Sequence, residues 1–572
     1  MFAPQNKPII VQSDATILLD VHDPGALEAR KILAGFAYLE KSPEHIHTYA
    51  LNQLSLWNAA SAGIDTDTIL ADLNRLSRFP LPTNLVTFIR LTIEKYGSIQ
   101  LYETNQDNLL FLHPRNKNIY AELRAHPKLK RLLSTEDLSA FEDLEIHGLS
   151  KAQWPEGFLL PLFERGTIKD LLMNLGYPIQ DLAPLKEGQA LDIKAQEILP
   201  NGKPFEIRDY QTQAVEAFLG DLKPGTGFGT IVLPCGAGKT IVGIASILDL
   251  AQETLILTSS TTAVHQWMRE LREKTTLTPE QLGEYTGARK EIKPVTVGTY
   301  QVLTWRNETT QEFPHFELLR SRSWGLIIYD EVHILPAPVF RITAELQGVR
   351  RLGLTATLVR EDGLEKQVFS LVGPKRFDIP WKDLEGRGWI AEAQCIEYRV
   401  DLPPASQIPY AVAGLREKFR IAAENTRKEE IVRSLLAKHQ GESILLIGHY
   451  LDQLQKVAAE FHLPMLTGKT PQGERERLFE SFRGGETKVL AVSKVANFAV
   501  DLPDASVAIQ ISGTYGSRQE EAQRLGRILR PKDHPSLFYT LVSRSTQEEE
   551  YSANRQKFLT EQGYAYTLEV WE

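Results

Sequence analysis

From Ile207 onward, short apolar runs alternate with stretches whose apolar residues recur every three or four positions. The runs are Thr230–Leu233, Thr254–Leu257, Thr296–Val297, Leu326–Tyr329 and Arg351–Leu354. Apolar runs of this length predict buried strands, and helical periodicity between them predicts crossover helices, the pattern of a parallel sheet. The texture returns from Gln394, with Ser443–Ile447, Lys488–Val492, Val507–Ile511 and Phe538–Val542. The chain therefore reads as two α/β lobes in tandem, at 201–390 and 391–572, the second with a short insert near 403–424.

The residues before them have a different texture. Strand-like runs at Ile9–Val11 and Thr16–Leu19 precede amphipathic patterns at Thr66–Leu76 and Asn84–Tyr96. Residues 1–134 are expected to form an N-terminal accessory domain. Residues 135–200 hold 5 Lys/Arg against 12 Asp/Glu and include Pro155, Pro161, Pro178 and Pro184. They are read as a short acidic connector domain, poorly matched to a phosphate backbone.

The composition narrows the class. Hydrophobic residues make up 42% of the 572 and charged residues 24%, which suits a globular protein with several cores. The net charge of −9 means that a nucleic-acid partner needs a local basic groove. Cys235 and Cys395 have no CxxC partner, which argues against a zinc site or a disulfide framework and for a reducing compartment. No signal-peptide pattern and no run of 18 apolar residues is present. The expected location is cytoplasmic, with nucleoid association when on DNA and no membrane contact.

Candidate chemistry begins at Leu233-Pro-Cys-Gly-Ala-Gly-Lys239-Thr240, between a strand and an expected helix at Ile241–Leu250. A loop of small residues there lets backbone N–H groups close around phosphates. Pro234, Cys235, Gly236, Ala237 and Gly238 form the loop, Lys239 reaches the β/γ-phosphates, and Thr240 offers a hydroxyl to magnesium. Leu233 stands where the strict phosphate-loop pattern has a first glycine. At Leu326-Ile-Ile-Tyr-Asp330-Glu331-Val-His333, a buried strand delivers two carboxylates at its C-terminal end. Asp330 is assigned to magnesium and Glu331 to the attacking water.

Gln523-Arg-Leu-Gly-Arg527-Ile-Leu-Arg530 places two arginines three residues apart, on one face of a helix. Positive charge aimed at a γ-phosphate stabilises the transition state, so Gln523, Arg527 and Arg530 are assigned to catalysis. Arg208-Asp-Tyr-Gln211 offers a glutamine that can bond adenine and side chains that can stack on it; ordinary helix-start chemistry explains the same residues. Thr355 and Thr357 follow a strand, where they either couple nucleotide to lobe movement or cap a helix. Arg360, Glu361 and Asp362 form a charged turn directly after. Ser259, Thr299, Thr467, Ser493 and Lys494 lie near strand ends and are candidates for sequence-independent contacts to a DNA backbone.

In this order the motifs resemble superfamily 2 helicases, and more narrowly the xeroderma pigmentosum group B (XPB) family of bacterial or archaeal type. The resemblance rests on Leu233–Thr240, Asp330–Arg341 (DEVHILPAPVFR), Gly353–Gly363 (GLTATLVREDG), Thr467–Arg477 (TGKTPQGERER), Ser493–Pro503 (SKVANFAVDLP) and Gly516–Pro531 (GSRQEEAQRLGRILRP). His45-Ile-His-Thr-Tyr and Leu54-Ser-Leu-Trp-Asn resemble the family's N-terminal domain. The resemblance implies two RecA-like lobes and ATP- and magnesium-dependent 3′→5′ movement on single-stranded or forked DNA. It also implies a role in nucleotide excision repair, a repair nuclease as candidate partner, and strand separation by Arg360-Glu361-Asp362. Residues 135–200 resemble a reduced damage-recognition-like region, and 403–424 a shortened thumb. The rival readings are an RNA helicase and a nucleotide-sensing DNA-binding scaffold that does not unwind; DEVH and TAT weigh against the commonest RNA-specific group.

Overall fold

Strand formation follows burial on both faces. Phe228–Val232 (β9), Thr254–Thr258 (β10), Leu282–Tyr285 (β11) and Val295–Thr299 (β12) are buried at every position. Leu326–Asp330 (β13) emerges only at Asp330, and Arg350–Thr355 (β14) is buried throughout. With Lys375–Asp378 (β15) they form one seven-stranded sheet, ordered β11-β12-β10-β13-β14-β9-β15. All its pairings are parallel. Helices cover the faces, and each fully buried aliphatic side chain in such a core contributes about 1.5–3 kcal/mol.

In this computed structural model the described residues are 7–41, 45–106, 109–133, 144–150, 156–200, 202–223, 225–234, 236–306, 314–335, 339, 346–356, 365–379, 381–493, 505–513, 521, 524–526, 528, 535–561, 564 and 566–572. Two compact units result: Met1–Val232 with Thr240–Asp378, and Leu233–Lys239 with Ile379–Glu572.

The second unit repeats the architecture. Ala393–Val400 (β16), Ile444–Ile447 (β17), Met465–Leu466 (β18), Val489–Val492 (β19), Val507–Gln510 (β20), Ser536–Ser543 (β21) and Tyr566–Trp571 (β22) form a sheet ordered β18-β19-β17-β20-β21-β16-β22. Its pairings are again all parallel. The core packs Ile431, Leu446, Leu454, Ile509 and Leu541. The short insert is two helices, Pro404–Val412 and Leu415–Ala423. The first buries no side chain, and Ile408, Val412 and Leu415 are exposed. Both parallel-sheet lobes expected from the sequence are present.

Before the first lobe lie two smaller sheets. Ile9–Val11 (β1), Thr16–Asp20 (β2), Tyr38–Lys41 (β3) and Ile46–Ala50 (β4) form an antiparallel sheet ordered β1-β2-β4-β3. Ile9, Ile17, Ile69 and Leu73 are in its core. The amphipathic stretches become helices at Thr66–Leu76 and Thr83–Lys95. Ile99–Glu103 (β5), Leu109–Pro114 (β6), Phe158–Pro161 (β7) and Gln180–Asp181 (β8) form the other sheet, ordered β7-β6-β5-β8.

This second sheet runs across the boundary drawn at 134, because β6 pairs with β7 and β5 with β8. The charge count that suggested the boundary does not register backbone pairing. The acidic segment also continues as a strap along the first lobe. Lys186 N donates to Gly348 O (2.7 Å), Gln189 N to Ser323 O (3.0 Å), Leu191 N to Ala251 O (2.7 Å) and Gln196 N to Lys274 O (2.9 Å). Gly188 lies so near Gly325 that a Cβ would come within 2.2 Å of its nitrogen. Glu187 pairs with Arg350 at 2.6 Å. Glu187 thus serves the lobe itself.

Candidate nucleotide site and nucleic-acid face

The strand order brings chemistry from distant sequence to one end of the first sheet. Register pairs Thr355 on β14 with Val232 on β9, and Leu354 with Asp330 on β13. Further across, Thr258 on β10 pairs with Thr299 on β12. The chain passes from β9 over two strand positions to β10, so this is a topological switch point, where open α/β sheets bind ligands beyond their C-terminal strand ends.

From β9 the chain enters the loop at Leu233. Gly236 and Gly238 both have φ of +81°, a left-handed geometry that costs glycine nothing. Ala237 N donates to Pro234 O at 3.2 Å and closes the turn. The helix then runs Lys239–Leu250, starting two residues before the expected Ile241. Lys239 and Thr240 are therefore its first two residues, where N–H groups lack partners within the helix and favour an anion. Cys235 lies outside the described residues.

Asp330 is fixed from two sides. Trp267 Nε1 donates to its Oδ2 at 2.9 Å, and the Tyr300 hydroxyl donates to its backbone oxygen at 2.9 Å. Burial, then the nearby Asp330 carboxylate, pushes the Tyr300 phenol well above its ordinary value, so it stays a donor. Trp267 in turn packs on the helix that starts at Lys239: a Cβ on Gly243 would stand 2.4 Å from its Cη2. Asp330 is half-buried, which leaves its carboxylate access to a ligand.

Glu331 has φ 52° and ψ 54°, left-handed values that cost a non-glycine residue about 1 kcal/mol or more. This bend turns the chain directly after the strand. Glu331 Oε2 lies 3.4 Å from His333 Nδ1, and the same nitrogen lies 2.7 Å from Thr355 Oγ1. His333 and Thr355 are buried. A polar chain thus links the second carboxylate to the end of the neighbouring strand.

Gln211 is buried, and its Oε1 accepts from Arg208 N at 2.9 Å at the start of the Asp209–Leu219 helix. Arg208 Nη1 lies 3.2 Å from the Tyr210 hydroxyl. The helix-start role open in the sequence is therefore filled. Thr299 likewise caps the Tyr300–Thr304 helix, accepting from Val302 N at 3.3 Å. Ser259 follows β10 and accepts through its backbone oxygen from Gln301. In the second unit Thr467 follows β18, its hydroxyl accepting from Lys469 N at 3.2 Å. Ser493 follows β19 and donates through its N–H to Leu466 O at 3.0 Å. Ser259, Thr467 and Ser493 each directly follow a strand's C-terminal end, and Thr299 is the last residue of its strand.

Thr357, Arg360, Glu361, Asp362, Lys494, Gln523, Arg527 and Arg530 lie outside the described residues. Their neighbour Arg524 is fully buried and bonds Gln510, which donates to Glu521 at 3.1 Å. Glu521 also pairs with buried Arg555 at 3.4 Å. Trp267, Tyr300 and His333 were not assigned roles from sequence. Gly243 inside a helix was a hint of close packing, and His333 stood next to the carboxylates; nothing in the spacing marked Trp267 or Tyr300.

Among the described residues no group of three or more His, Cys, Asp or Glu has the arrangement of a metal cluster. A magnesium ion held by the Thr240 hydroxyl and the Asp330 carboxylate would take its other ligands from phosphate and water.

Comparison with known proteins agrees with this geometry. The family described as "ERCC3/RAD25/XPB C-terminal helicase" matches residues 384–570. "Type III restriction enzyme, res subunit" matches 204–360, and "Helicase conserved C-terminal domain" matches 9–137. The chain is 48% identical to "DNA 3'-5' helicase XPB" of Kineococcus radiotolerans, covering 98% of this chain and 96% of that one. It is 47% identical to the protein of the same name in Mycobacterium tuberculosis, covering 98% and 97%. It is 31% identical to "General transcription and DNA repair factor IIH helicase/translocase subunit XPB/SSL2" of Saccharomyces cerevisiae, covering 98% and 72%. With two parallel-sheet lobes, a glycine loop leading into a helix, and paired carboxylates at a switch point, this chain belongs to the XPB family of superfamily 2 helicases.

Proposed function

We propose that this protein is an ATP-driven DNA translocase that unwinds duplex DNA with 3′→5′ polarity and works in DNA repair. One observation carries the reading: the phosphate loop, Asp330, Glu331 and Thr355 all issue from the same end of neighbouring strands. The names of the bacterial relatives supply the polarity and the nucleic acid.

Lys239 neutralises charge on the β/γ-phosphates, while loop N–H groups hold their oxygens. Thr240 and Asp330 would hold magnesium, which when bound draws charge from the phosphates undergoing transfer. Trp267 keeps the Asp330 carboxylate oriented. Glu331 orients the attacking water and accepts its proton. Its link through His333 to Thr355 gives hydrolysis a path to the segment that follows β14. Arg527 and Arg530 supply positive charge in the transition state, and Gln523 belongs to the same motif. Arg208 and Gln211 recognise adenine in addition to their helix-start role. Ser259, Thr299, Thr467, Ser493 and Lys494 contact the DNA backbone, contacts that carry no sequence information. Arg360-Glu361-Asp362 stands at the fork.

ATP turnover should be measured with single-stranded DNA, with RNA of the same sequence, and with 3′- and 5′-tailed forks. DNA should stimulate turnover more than RNA, and only the 3′-tailed fork should open. Equal stimulation by RNA would favour an RNA helicase. Binding without DNA-stimulated turnover would favour a scaffold.

A further inference from the structure

Beside the ends of β10 and β12, where Ser259 and Thr299 sit, stands a row of three rings. Tyr285 is the last residue of β11, and register pairs it with Gly298, the neighbour of Thr299. Its hydroxyl lies 3.0 Å from His315 Nδ1, and the two rings meet edge to face with centroids 5.8 Å apart. The His315 ring lies 5.7 Å from that of Trp305, tilted by 57°. Trp305 directly follows the Tyr300–Thr304 helix that Thr299 caps. Thr299 and Trp305 thus bracket one short helix, about 9 Å apart along its axis at 1.5 Å per residue.

The row runs from the interior into solvent. Tyr285 is buried and His315 half-buried, while Trp305 is 51% exposed. Every other described tryptophan is buried or half-buried, as its large apolar surface favours. With half of its surface in water and His315 tilted against it, the indole presents ring surface to solvent. It does not belong to a broad apolar patch of the kind that marks a protein interface. Its chain neighbours are Thr304 and Arg306, and Ile292, the exposed apolar residue before it in sequence, precedes β12 at the opposite end of that strand. The charges beside the row are mixed. Lys290 Nζ lies 5.1 Å from the Tyr285 centroid, and the Glu317 carboxylate adds to burial in raising the Tyr285 phenol. What the row offers a ligand is therefore an open ring rather than a cradle for an anion.

We propose that Trp305 is a stacking platform for an unpaired DNA base, on the same strand whose backbone meets Thr299, and that His315 holds the indole in place from the protein side. The proposal rests on the DNA-translocase reading and adds a base contact to its backbone contacts. Every base has a π-face, so stacking on an indole is compatible with binding of any sequence. The Tyr285 hydroxyl ties His315 to the end of β11, which fixes the platform relative to the strand ends that carry the backbone contacts.

The test measures binding of short single-stranded DNA to the full chain at one salt concentration. Trp305→Ala should weaken affinity by about 5- to 150-fold, the range of one base stacked on one aromatic side chain, and Trp305→Phe should keep most of it. Thermal melting checks that both variants fold. An abasic site is then moved along the oligonucleotide one position at a time. Wild-type protein should lose affinity sharply at one position, and that loss should vanish in Trp305→Ala, a pattern that a merely structural role would not produce. The scan on wild-type protein and Trp305→Phe decides the matter if the alanine variant does not fold. An equal effect of the abasic site at every position, or wild-type affinity in a folded Trp305→Ala, would overturn this proposal alone. A wild-type chain that binds no DNA would overturn the translocase reading, and this proposal with it.

Discussion

Trp267 donates its indole N–H to the Asp330 carboxylate at 2.9 Å, although 63 residues separate them. The same indole packs against Gly243 in the helix that begins at Lys239. One side chain thus sets the spacing between that helix and the strand end that carries the carboxylates. Trp267→Phe keeps an aromatic ring on Gly243 and removes the donor. Partners that orient a metal ligand are commonly worth 10- to 100-fold in metal affinity, so the magnesium concentration for half-maximal ATP turnover should rise by about that factor. A magnesium titration of turnover checks this, and an unchanged midpoint would leave Trp267 a packing residue only.

The two charged residues to which the proposed mechanism gives phosphate binding and water activation should separate binding from chemistry. Lys239→Ala removes the counter-charge to the phosphates and should abolish turnover and weaken nucleotide binding. Glu331→Gln keeps shape and hydrogen bonding but not the base, so ATP should bind with near-normal affinity while turnover falls by about 10²- to 10⁴-fold. Nucleotide affinity and steady-state turnover for both variants decide it; near wild-type turnover in Glu331→Gln would remove Glu331 from the mechanism.

The 2.7 Å contact between His333 and Thr355 predicts a defect in coupling. Thr355→Val fills the same buried space without the hydroxyl. DNA opened per ATP hydrolysed should drop by about five- to thirtyfold, the range that 1–2 kcal/mol corresponds to, with most turnover kept. Parallel unwinding and phosphate-release assays on one preparation test this. A proportional loss of both would assign the pair to the chemistry itself.

A related separation is expected for Arg360-Glu361-Asp362. Two acids beside a DNA backbone are costly unless repulsion is useful, as it is where strands part. The triple alanine variant should keep DNA-stimulated turnover and lose unwinding. Thermal melting confirms its folding. Unchanged unwinding would make the triplet an ordinary solvated turn.

Stability should depend on Asp181. Burial raises its carboxyl, but Arg165 and Lys169 outweigh that and hold it far below the usual carboxylate range. A carboxyl lowered in the fold stabilises above its unfolded pKa, and that contribution is lost as pH falls from about 4. Asp181→Asn leaves two buried cations short of a counter-charge and should cost about 3–5 kcal/mol at pH 7. The difference between wild type and variant in denaturant unfolding should shrink as the pH is lowered through 4 toward 2. A difference constant across that range would show that the carboxylate's charge is not the cause.

Sequence by itself determined the two lobes and most of their strands. Apolar runs at Thr230–Leu233, Thr254–Leu257 and Leu326–Tyr329 can be satisfied only where both faces are covered, so burial was written into composition. It also determined the glycine turn before Lys239, because glycines at 236 and 238 suit a chain that turns left-handed there. Such signals are local: each rests on a few neighbouring residues. Tertiary structure decided what depends on strands meeting out of sequence order. The strand order put Thr355 next to Val232 and one strand from Asp330, and only then did His333 acquire Thr355 as a partner. Pairing of Leu109–Pro114 with Phe158–Pro161 overrode a boundary drawn on charge, since backbone hydrogen bonds form irrespective of side-chain sign. Trp267 reaches Asp330, and three cations gather at Phe228, because folding fixes distances between residues that the chain keeps far apart.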